Sequence, residues 1–151
     1  MAEARGNGQF RMPASCHVSA FFRDTEPFEN LKNHLRNFLQ TREPGKGPIR
    51  VWSAGCASGE EAYSISILFN EVNGEADREY DLSRLDILGT DIDPPSLAAA
   101  EKACFPEISF TETPPDLRAR WFTLQPPYQL RDEARQPVRF ERSDLLSDPL
   151  P

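Results

Sequence analysis

The chain has 151 residues, of which 38% are hydrophobic and 27% charged, and its formal net charge is −7. These values fit one soluble domain that is large enough to bury a core. A negative balance without a block of Lys or Arg argues against binding of DNA or RNA, because such binding needs a basic face. No apolar run approaches the roughly 18 residues that cross a membrane. We therefore expect neither nucleic acid nor direct membrane insertion.

Cysteine and histidine content limits the redox and metal chemistry. The three cysteines, Cys16, Cys56 and Cys104, are widely spaced and fit neither a disulfide framework nor a metal-binding pair. With only two histidines and no carboxylate cluster beside either, we expect no metal site. Residues 1–16 are polar, without the apolar segment of a signal peptide, and are interpreted as a loose leader. Together these features favour a cytoplasmic protein.

The spacing of apolar residues predicts alternating helices and strands. A helix is expected over 26–40, and short apolar runs predict strands at 49–54, at 85–90 and from Val138 to about 142. Helical spacing follows each of the first two strands, and Asp93 with Pro94 can begin the second of these helices. This order predicts an α/β fold with a parallel sheet flanked by helices. A small β-hairpin is expected within 122–137, and Thr113 and Asp116 have the spacing of a helix capping box.

The stretch "RVWSAGCASGEEAYSI" at 50–65 runs from the first strand through a glycine turn into a helix. It lacks the lysine of a phosphate-binding Walker loop, and Gly55 and Gly59 do not fit the GxGxxG dinucleotide pattern. Glu60 and Glu61 place negative charge where a phosphate would lie. They favour a ligand with a cationic end, such as the ammonium or sulfonium of S-adenosylmethionine. Alternatively, the two acids only complement the helix dipole, and their spacing fits this equally well.

The second predicted strand ends in Asp91, 36 residues after Gly55. Doubly wound folds place an acid at this position against ribose hydroxyls. Turn, acids and Asp91 together point to a nucleoside that carries an amino-acid tail. Asp91 could instead belong only to a turn, and for Asp93 the role of a helix cap is favoured. Cys56 has no basic neighbour in sequence, so we interpret it as a packing residue rather than a nucleophile.

Five segments of the chain occur in the order found in one family. They are "FFRD" at 21–24, "RVWSAGCASGEEAYSI" at 50–65, "ILGTDID" at 87–93, "PPDLRARWF" at 114–122 and "VRFERSDLL" at 138–146. On these segments the chain resembles CheR-type chemotaxis receptor methyltransferases over about residues 17–147. The resemblance implies a partial Rossmann-like methyltransferase fold. It also implies transfer of a methyl group from S-adenosylmethionine to glutamate side chains of chemoreceptors, as part of signal transduction.

The resemblance also implies roles for individual residues. Arg23 would line the cofactor site near the methionine end and is the candidate catalytic residue. Glu61 would bind the cofactor and Asp91 the ribose, with Gly55 and Gly59 forming the turn between them.

Two family contact segments are substituted in this chain. The family's Asn-x-Thr-x-Phe-Phe-Arg appears with His17 and Ser19 at the two polar positions, and both keep hydrogen-bonding ability. The family's Asn-Leu-Leu near the adenine becomes Asp144-Leu145-Leu146, which adds a charge at that contact.

Two parts of the family pattern are not represented: an N-terminal helical domain and the strand that follows residue 147. The strand at 49–54 would then lack one neighbour, so we expect a homodimer or a domain swap through it. We also expect weak or absent receptor methylation by this chain alone. The alternatives are a non-catalytic S-adenosylmethionine- or nucleotide-binding module that acts through a partner, and an interaction segment with an empty site.

Overall fold

Three parallel strands and the helices around them carry the fold. The computed structural model describes residues 19–43, 46–76 and 80–151, so the leader and His17 lie outside the described residues. In chain order the elements are α1 (Thr25–Thr41), β1 (Ile49–Ala54), α2 (Glu60–Glu75), β2 (Leu85–Asp91), α3 (Pro94–Lys102), β3 (Cys104–Phe105), α4 (Pro115–Trp121), β4 (Tyr128–Gln129), α5 (Asp132–Arg135) and β5 (Val138–Arg142). No helix within these ranges is long and apolar enough to span a membrane.

The main sheet has the strand order β1-β2-β5, and both strand pairs are parallel. Ile49 pairs with Leu85 at one end of the sheet, and Asp91 pairs with Arg142 at the other. All three predicted strands and their parallel arrangement are confirmed. In the central strand, β2, five of seven residues are buried, which is the pattern of a strand covered on both faces. The carboxyl ends of the three strands therefore meet along one edge.

A cluster of phenylalanine rings fills the core beside α2. Phe21 is fully buried, and its ring centroid lies 4.7 Å from that of Phe105, 5.4 Å from Phe110 and 4.8 Å from Phe122. The Phe105 and Phe122 contacts are edge-to-face, and the Phe110 contact is stacked, both favourable arrangements for aromatic pairs. The segment that leads into α1 is thus anchored by its own aromatic side chain.

The region from 122 to 137, where a small β-hairpin was expected, pairs mainly with a strand outside the region. Phe122 and Leu130 make one antiparallel bridge, as a hairpin would. Strand β4, however, pairs antiparallel with β3, which precedes it by more than twenty residues. The residues after Leu130 form the short helix α5. Non-local pairing, which depends on the tertiary arrangement, determines the structure here.

The start of α4 differs from the capping box expected at Thr113 and Asp116. The helix begins at Pro115 with Pro114 at the cap position and no side-chain cap hydrogen bond. Thr113 is buried, and its hydroxyl has no hydrogen-bond partner among the described residues. The capping-box prediction is therefore wrong, since two consecutive prolines determine how the chain enters the helix.

Phe140 of β5 packs into space left by two glycines. A Cβ atom built on Gly89 would lie 2.6 Å from Phe140 Cδ1 and 3.1 Å from Cys56 Sγ. A Cβ on Gly59 would lie 2.9 Å from Phe140 Cζ and 3.0 Å from the Cβ of Ala100. The two distances to Phe140, 2.6 and 2.9 Å, are too short for carbon atoms in contact. One aromatic ring therefore joins the third strand to the second strand and to the start of α2.

Because of this packing, Gly89→Ala should destabilise the fold. We expect a loss of about 1–3 kcal/mol in the free energy of unfolding, as for other overpacked cores. Gly74→Ala is the matched control, because a Cβ added at Gly74 meets nothing within 4 Å. Gly74 lies in α2. Alanine there should be neutral or stabilising by about 0.5–1 kcal/mol. Urea denaturation of both variants gives the comparison, and an unchanged midpoint for Gly89→Ala would contradict the packing role.

Candidate functional site

The turn between β1 and α2 is held by the end of β2. The backbone N–H groups of Gly55 and Cys56 both donate to the carbonyl oxygen of Thr90, at 2.8 and 2.9 Å. Gly55, Ala57 and Gly59 have φ angles of 75°, 47° and 91°, the left-handed region that favours glycine. Alanine at such an angle is strained by about 1–2 kcal/mol. The turn is therefore a constrained structure that the neighbouring strand stabilises.

Asp91 connects this turn to the carboxyl edge of the sheet. Its Oδ2 accepts a hydrogen bond of 2.8 Å from Ala57 N–H, and its Oδ1 accepts one of 3.0 Å from Asp93 N–H. Each carboxylate oxygen can accept a second hydrogen bond. The geometry is thus compatible with the predicted contact to ribose hydroxyls. Asp93 acts as the cap of α3, since its Oδ2 accepts from Ser96 N–H at 3.0 Å, as its sequence position indicates.

The two adjacent acids at the start of α2 have different surroundings. Glu61 is exposed, and its Oε1 accepts a 2.7 Å hydrogen bond from the hydroxyl of Ser53 at the end of β1. Glu60 is 3% exposed, and its Oε1 accepts from Ser109 Oγ at 3.2 Å. The second oxygen of Glu60 has no partner among the described residues. Of these two acids, Glu61 is the one accessible to a ligand at the carboxyl edge.

The two glycines of the turn also divide their roles. A Cβ on Gly55 would meet nothing within 4 Å, so the space beside this exposed residue is open to a ligand. Gly59 is buried against Phe140 and Ala100, which gives it a packing role. Its contact with a cofactor stays a prediction.

The segment that carries Arg23 lies beside the first turns of α2. Phe22 N–H donates to the hydroxyl of Ser64 at 3.1 Å, and Phe21 N–H donates to the carbonyl of Ser109 at 2.8 Å. Arg23 follows directly and is exposed, and Ser19 is half-buried. The residue before Arg23 is therefore bonded to α2, at Ser64.

The turn after β5 reaches the same edge. Ser143 N–H donates to the carbonyl oxygen of Asp91 at 3.0 Å. Asp144 is half-buried, and its Oδ1 accepts from Leu146 N–H at 2.9 Å, while its own N–H donates to Asp148. Leu145 is 50% exposed. Asp144 and Leu145 thus directly follow the residue that is bonded to Asp91, and the Asp144 carboxylate is partly occupied by its own turn.

Cys56 is unsuited to nucleophilic chemistry. Its side chain is 2% exposed, and burial raises the pKa of the thiol to about 12, with the Asp91 carboxylate adding to the effect. A thiol with such a pKa is protonated at neutral pH, whereas the nucleophile is the thiolate. The interpretation of Cys56 as a packing residue is confirmed. In the described ranges, no group of three or more His, Cys, Asp or Glu side chains could hold a metal ion.

Several residues of this edge had no role predicted from the sequence. Ser53 orients Glu61, Thr90 accepts both turn amides through its backbone, and Phe140 packs under the turn. Trp52 also reaches the edge, because its indole N–H donates to Thr90 Oγ1 at 2.9 Å. The only available signal was the position of Ser53, a polar residue on the inward face of a predicted strand.

Comparison with known proteins gives one family and several relatives. The family profile described as "CheR methyltransferase, SAM binding domain" matches residues 17–151. A chemotaxis protein methyltransferase of Listeria innocua is 35% identical over 133 residues, which cover 87% of this chain and 47% of that protein. A probable chemotaxis protein methyltransferase of Rhizobium etli is 31% identical over 136 residues, 87% of this chain and 49% of that protein. The chain thus spans about half the length of these relatives.

Two further similarities are more limited. An uncharacterized 104.1 kDa protein of Rhodobacter capsulatus is 36% identical over 133 residues, covering 87% of this chain but 14% of that protein. A solved TehB-like SAM-dependent methyltransferase of Corynebacterium glutamicum aligns with a TM-score of 0.32 and 15% identity, covering 83% of this chain and 49% of that one. A similarity this low carries no weight for the fold.

The hydrogen bond between Asp91 and Ala57 should make a measurable contribution to the free energy of unfolding. Asp91→Asn removes one acceptor and the charge, so we expect a loss of about 1–3 kcal/mol in the free energy of unfolding. Asp93→Asn is the matched control in the same turn, because asparagine caps a helix as well as aspartate. Equal unfolding midpoints of the two variants in urea would argue against a structural link through Asp91.

Proposed function

Because this chain belongs to the family of CheR methyltransferase SAM-binding domains, we propose that it forms part of a protein-glutamate O-methyltransferase that acts on chemoreceptors. The cofactor of the family is S-adenosylmethionine. The observation that carries the proposal is the convergence of the glycine turn, Glu61 and Asp91 at one edge. The hydrogen bond from Ala57 to Asp91 joins the turn to the end of β2 there.

The residues of this edge fit a nucleoside with an amino-acid tail. Open space beside Gly55 lets the backbone approach the tail closely, and the exposed carboxylate of Glu61 suits its ammonium group. Asp91 has acceptor capacity left for the ribose hydroxyls. Leu145, two residues after the Ser143 that is bonded to Asp91, is an exposed apolar side chain and suits a base.

Arg23 completes the proposed site as its candidate catalytic residue. Its side chain is exposed, and the residue before it is bonded to α2 at Ser64. A guanidinium suits the carboxylate end of the tail. Ser19 is a further polar group of the same segment, and His17 lies outside the described residues. Asp144 would approach the adenine, where its negative charge replaces the amide of the family pattern.

Methyl transfer of this kind depends mainly on the alignment of the two reactants. When bound, S-adenosylmethionine supplies a methyl group on a positively charged sulfur, and an ionised glutamate of a receptor can accept it without acid or base assistance. The protein therefore has to hold the two reactants together and exclude water, and positioning can account for much of the rate. Charged and hydrogen-bonding groups from three parts of the chain serve this orientation at one edge.

The names of the Listeria innocua and Rhizobium etli relatives support a role in chemotaxis. Since the chain spans about half of their length, methyl transfer and the receptor partner remain part of the proposal. The second candidate is a non-catalytic module that binds S-adenosylmethionine or a nucleotide and acts through a partner. It is favoured by Asp144, whose charge alters the expected adenine contact.

We expect S-adenosylhomocysteine to bind the purified chain in calorimetry, and Asp91→Ala to weaken binding by about 10- to 100-fold through loss of charge-assisted hydrogen bonds. The control is Asp86→Ala, because Asp86 lies on the same strand and pairs with Arg139 rather than with the turn. No binding by the wild-type chain, or equal affinities for the two variants, would refute the proposed site. Because we expect weak or absent methylation by this chain alone, the transfer of labelled methyl groups to receptor as base-labile esters is assayed with a longer protein that contains it. Transfer by that protein separates the enzyme from the non-catalytic module.

We also propose that β1 mediates self-association. Among the described strands it has a neighbour on one side only, and Trp52 on it is 38% exposed. An unpaired strand edge is a ready template for pairing with a second copy. Light scattering at micromolar concentration should give the mass of a dimer, and a monomer across the concentration series would count against this proposal.

A further inference from the structure

Arg23 lies between two residues with unusual backbone conformations. Phe22 has a φ of 55° and Asp24 a φ of 61°, both in the left-handed region. A bulky residue such as phenylalanine is rarely found there, because its Cβ crowds the backbone. Strain of this kind persists only where surrounding contacts enforce it, and it is concentrated at functional sites. The conformation of this segment therefore needs an external cause.

Two other parts of the chain, α2 and the segment 109–112, hold the segment in place through its backbone N–H groups. Phe21 donates to the carbonyl of Ser109 at 2.8 Å, Phe22 to the Ser64 hydroxyl at 3.1 Å, and Asp24 to Glu112 Oε2 at 2.7 Å. The rings of Phe21 and Phe22 are 0% and 4% exposed. Every residue beside Arg23 is thus fixed, while the arginine side chain itself is exposed.

Of these three acceptor residues, Ser64 is the one that lies on α2, the helix that carries Glu61. It lies on α2 three residues after Glu61, so the two side chains share a face of the helix. Its side chain is 0% exposed, and serine is a poor choice for a helix interior unless its hydroxyl has a partner. That hydroxyl accepts from Phe22 N–H. The helix that presents Glu61 therefore also sets the position of the residue before Arg23.

We propose that Ser64 is a positioning residue that holds Arg23 in register with Glu61. The two charges then meet the carboxylate and the ammonium of one amino-acid tail at a fixed separation. This inference rests on the proposed function, because it takes the ligand to be S-adenosylmethionine or its product. It assigns to Ser64 an effect on binding that acts only through Arg23.

Ser66 provides a matched control on the same helix. It is also 0% exposed, but its hydroxyl has no hydrogen-bond partner among the described residues. Ser64→Ala and Ser66→Ala therefore remove the same atom from equally buried positions of α2. Only the Ser64 hydroxyl is bonded to Phe22.

The test is calorimetry with S-adenosylhomocysteine, together with thermal unfolding of each variant. Ser64→Ala should weaken binding about tenfold, the effect of one lost hydrogen bond, and Ser66→Ala should leave the affinity within about twofold. In an Arg23→Ala background, Ser64→Ala should cause no further loss, since coupled residues are not additive. A merely structural serine would lower affinity to the same extent in both backgrounds.

Glu112 gives a second route that does not disturb the core. Glu112→Ala removes the acceptor for Asp24 N–H from an exposed position, whereas Glu112→Gln keeps an acceptor. We expect a several-fold loss of affinity for the alanine variant alone, again absent without Arg23. Equal effects of the two serine variants, or a Ser64 effect that survives in Arg23→Ala, would overturn the positioning role. If the wild-type chain binds S-adenosylhomocysteine and Asp91→Ala weakens binding but Ser64→Ala does not, the inference about Ser64 is wrong and the proposed function stands. If the wild-type chain does not bind, the proposed function itself is wrong.

Discussion

The hydrogen bonds between the end of β2 and the turn after β1 are the interaction on which the candidate site depends. The Thr90 carbonyl accepts from Gly55 and Cys56, and the Asp91 carboxylate accepts from Ala57. These bonds hold a turn with three left-handed residues, one of them alanine. They also place the acid of β2 against the turn that leads into α2. The site is therefore shaped before any ligand arrives, and ligand binding need not supply the cost of ordering it.

Packing under the turn is as specific as the hydrogen bonding above it. Phe140 occupies the space that side chains at Gly59 and Gly89 would fill. Its ring therefore links β5 to β2 and to the start of α2. Glycine thus serves two purposes within one short stretch. Gly55 leaves room for a ligand, whereas Gly59 leaves room for an aromatic ring of the protein itself. Sequence spacing alone does not separate these purposes, because both require the same residue type.

Local patterns predicted the parts of the structure that local physics determines. The three strands, the cap at Asp93 and the packing role of Cys56 all follow from neighbouring residues in the chain. The pairing of β4 with β3, and the bond from Phe22 to Ser64, join residues far apart in sequence. Neither contact follows from a local pattern, so the sequence did not predict it. The different surroundings of Glu60 and Glu61 belong to the same group.

The family resemblance supplied the roles expected of Arg23 and Asp91, and the structure adds how the chain holds them. Arg23 is positioned by bonds to the residues on either side of it, and Asp91 by the turn it supports. In both cases a buried or constrained neighbour fixes a group that remains available to a ligand. The site is therefore built from the packed elements around it rather than from one continuous loop.

An amide-resolved nuclear magnetic resonance titration with S-adenosylhomocysteine would show where this ligand binds on the folded chain. If the carboxyl edge of the sheet is the binding site, we expect saturable shifts at the amides of Gly55, Ala57 and Asp91, with little change in β3 and β4. Shifts centred away from that edge, or none at saturating ligand, would contradict it.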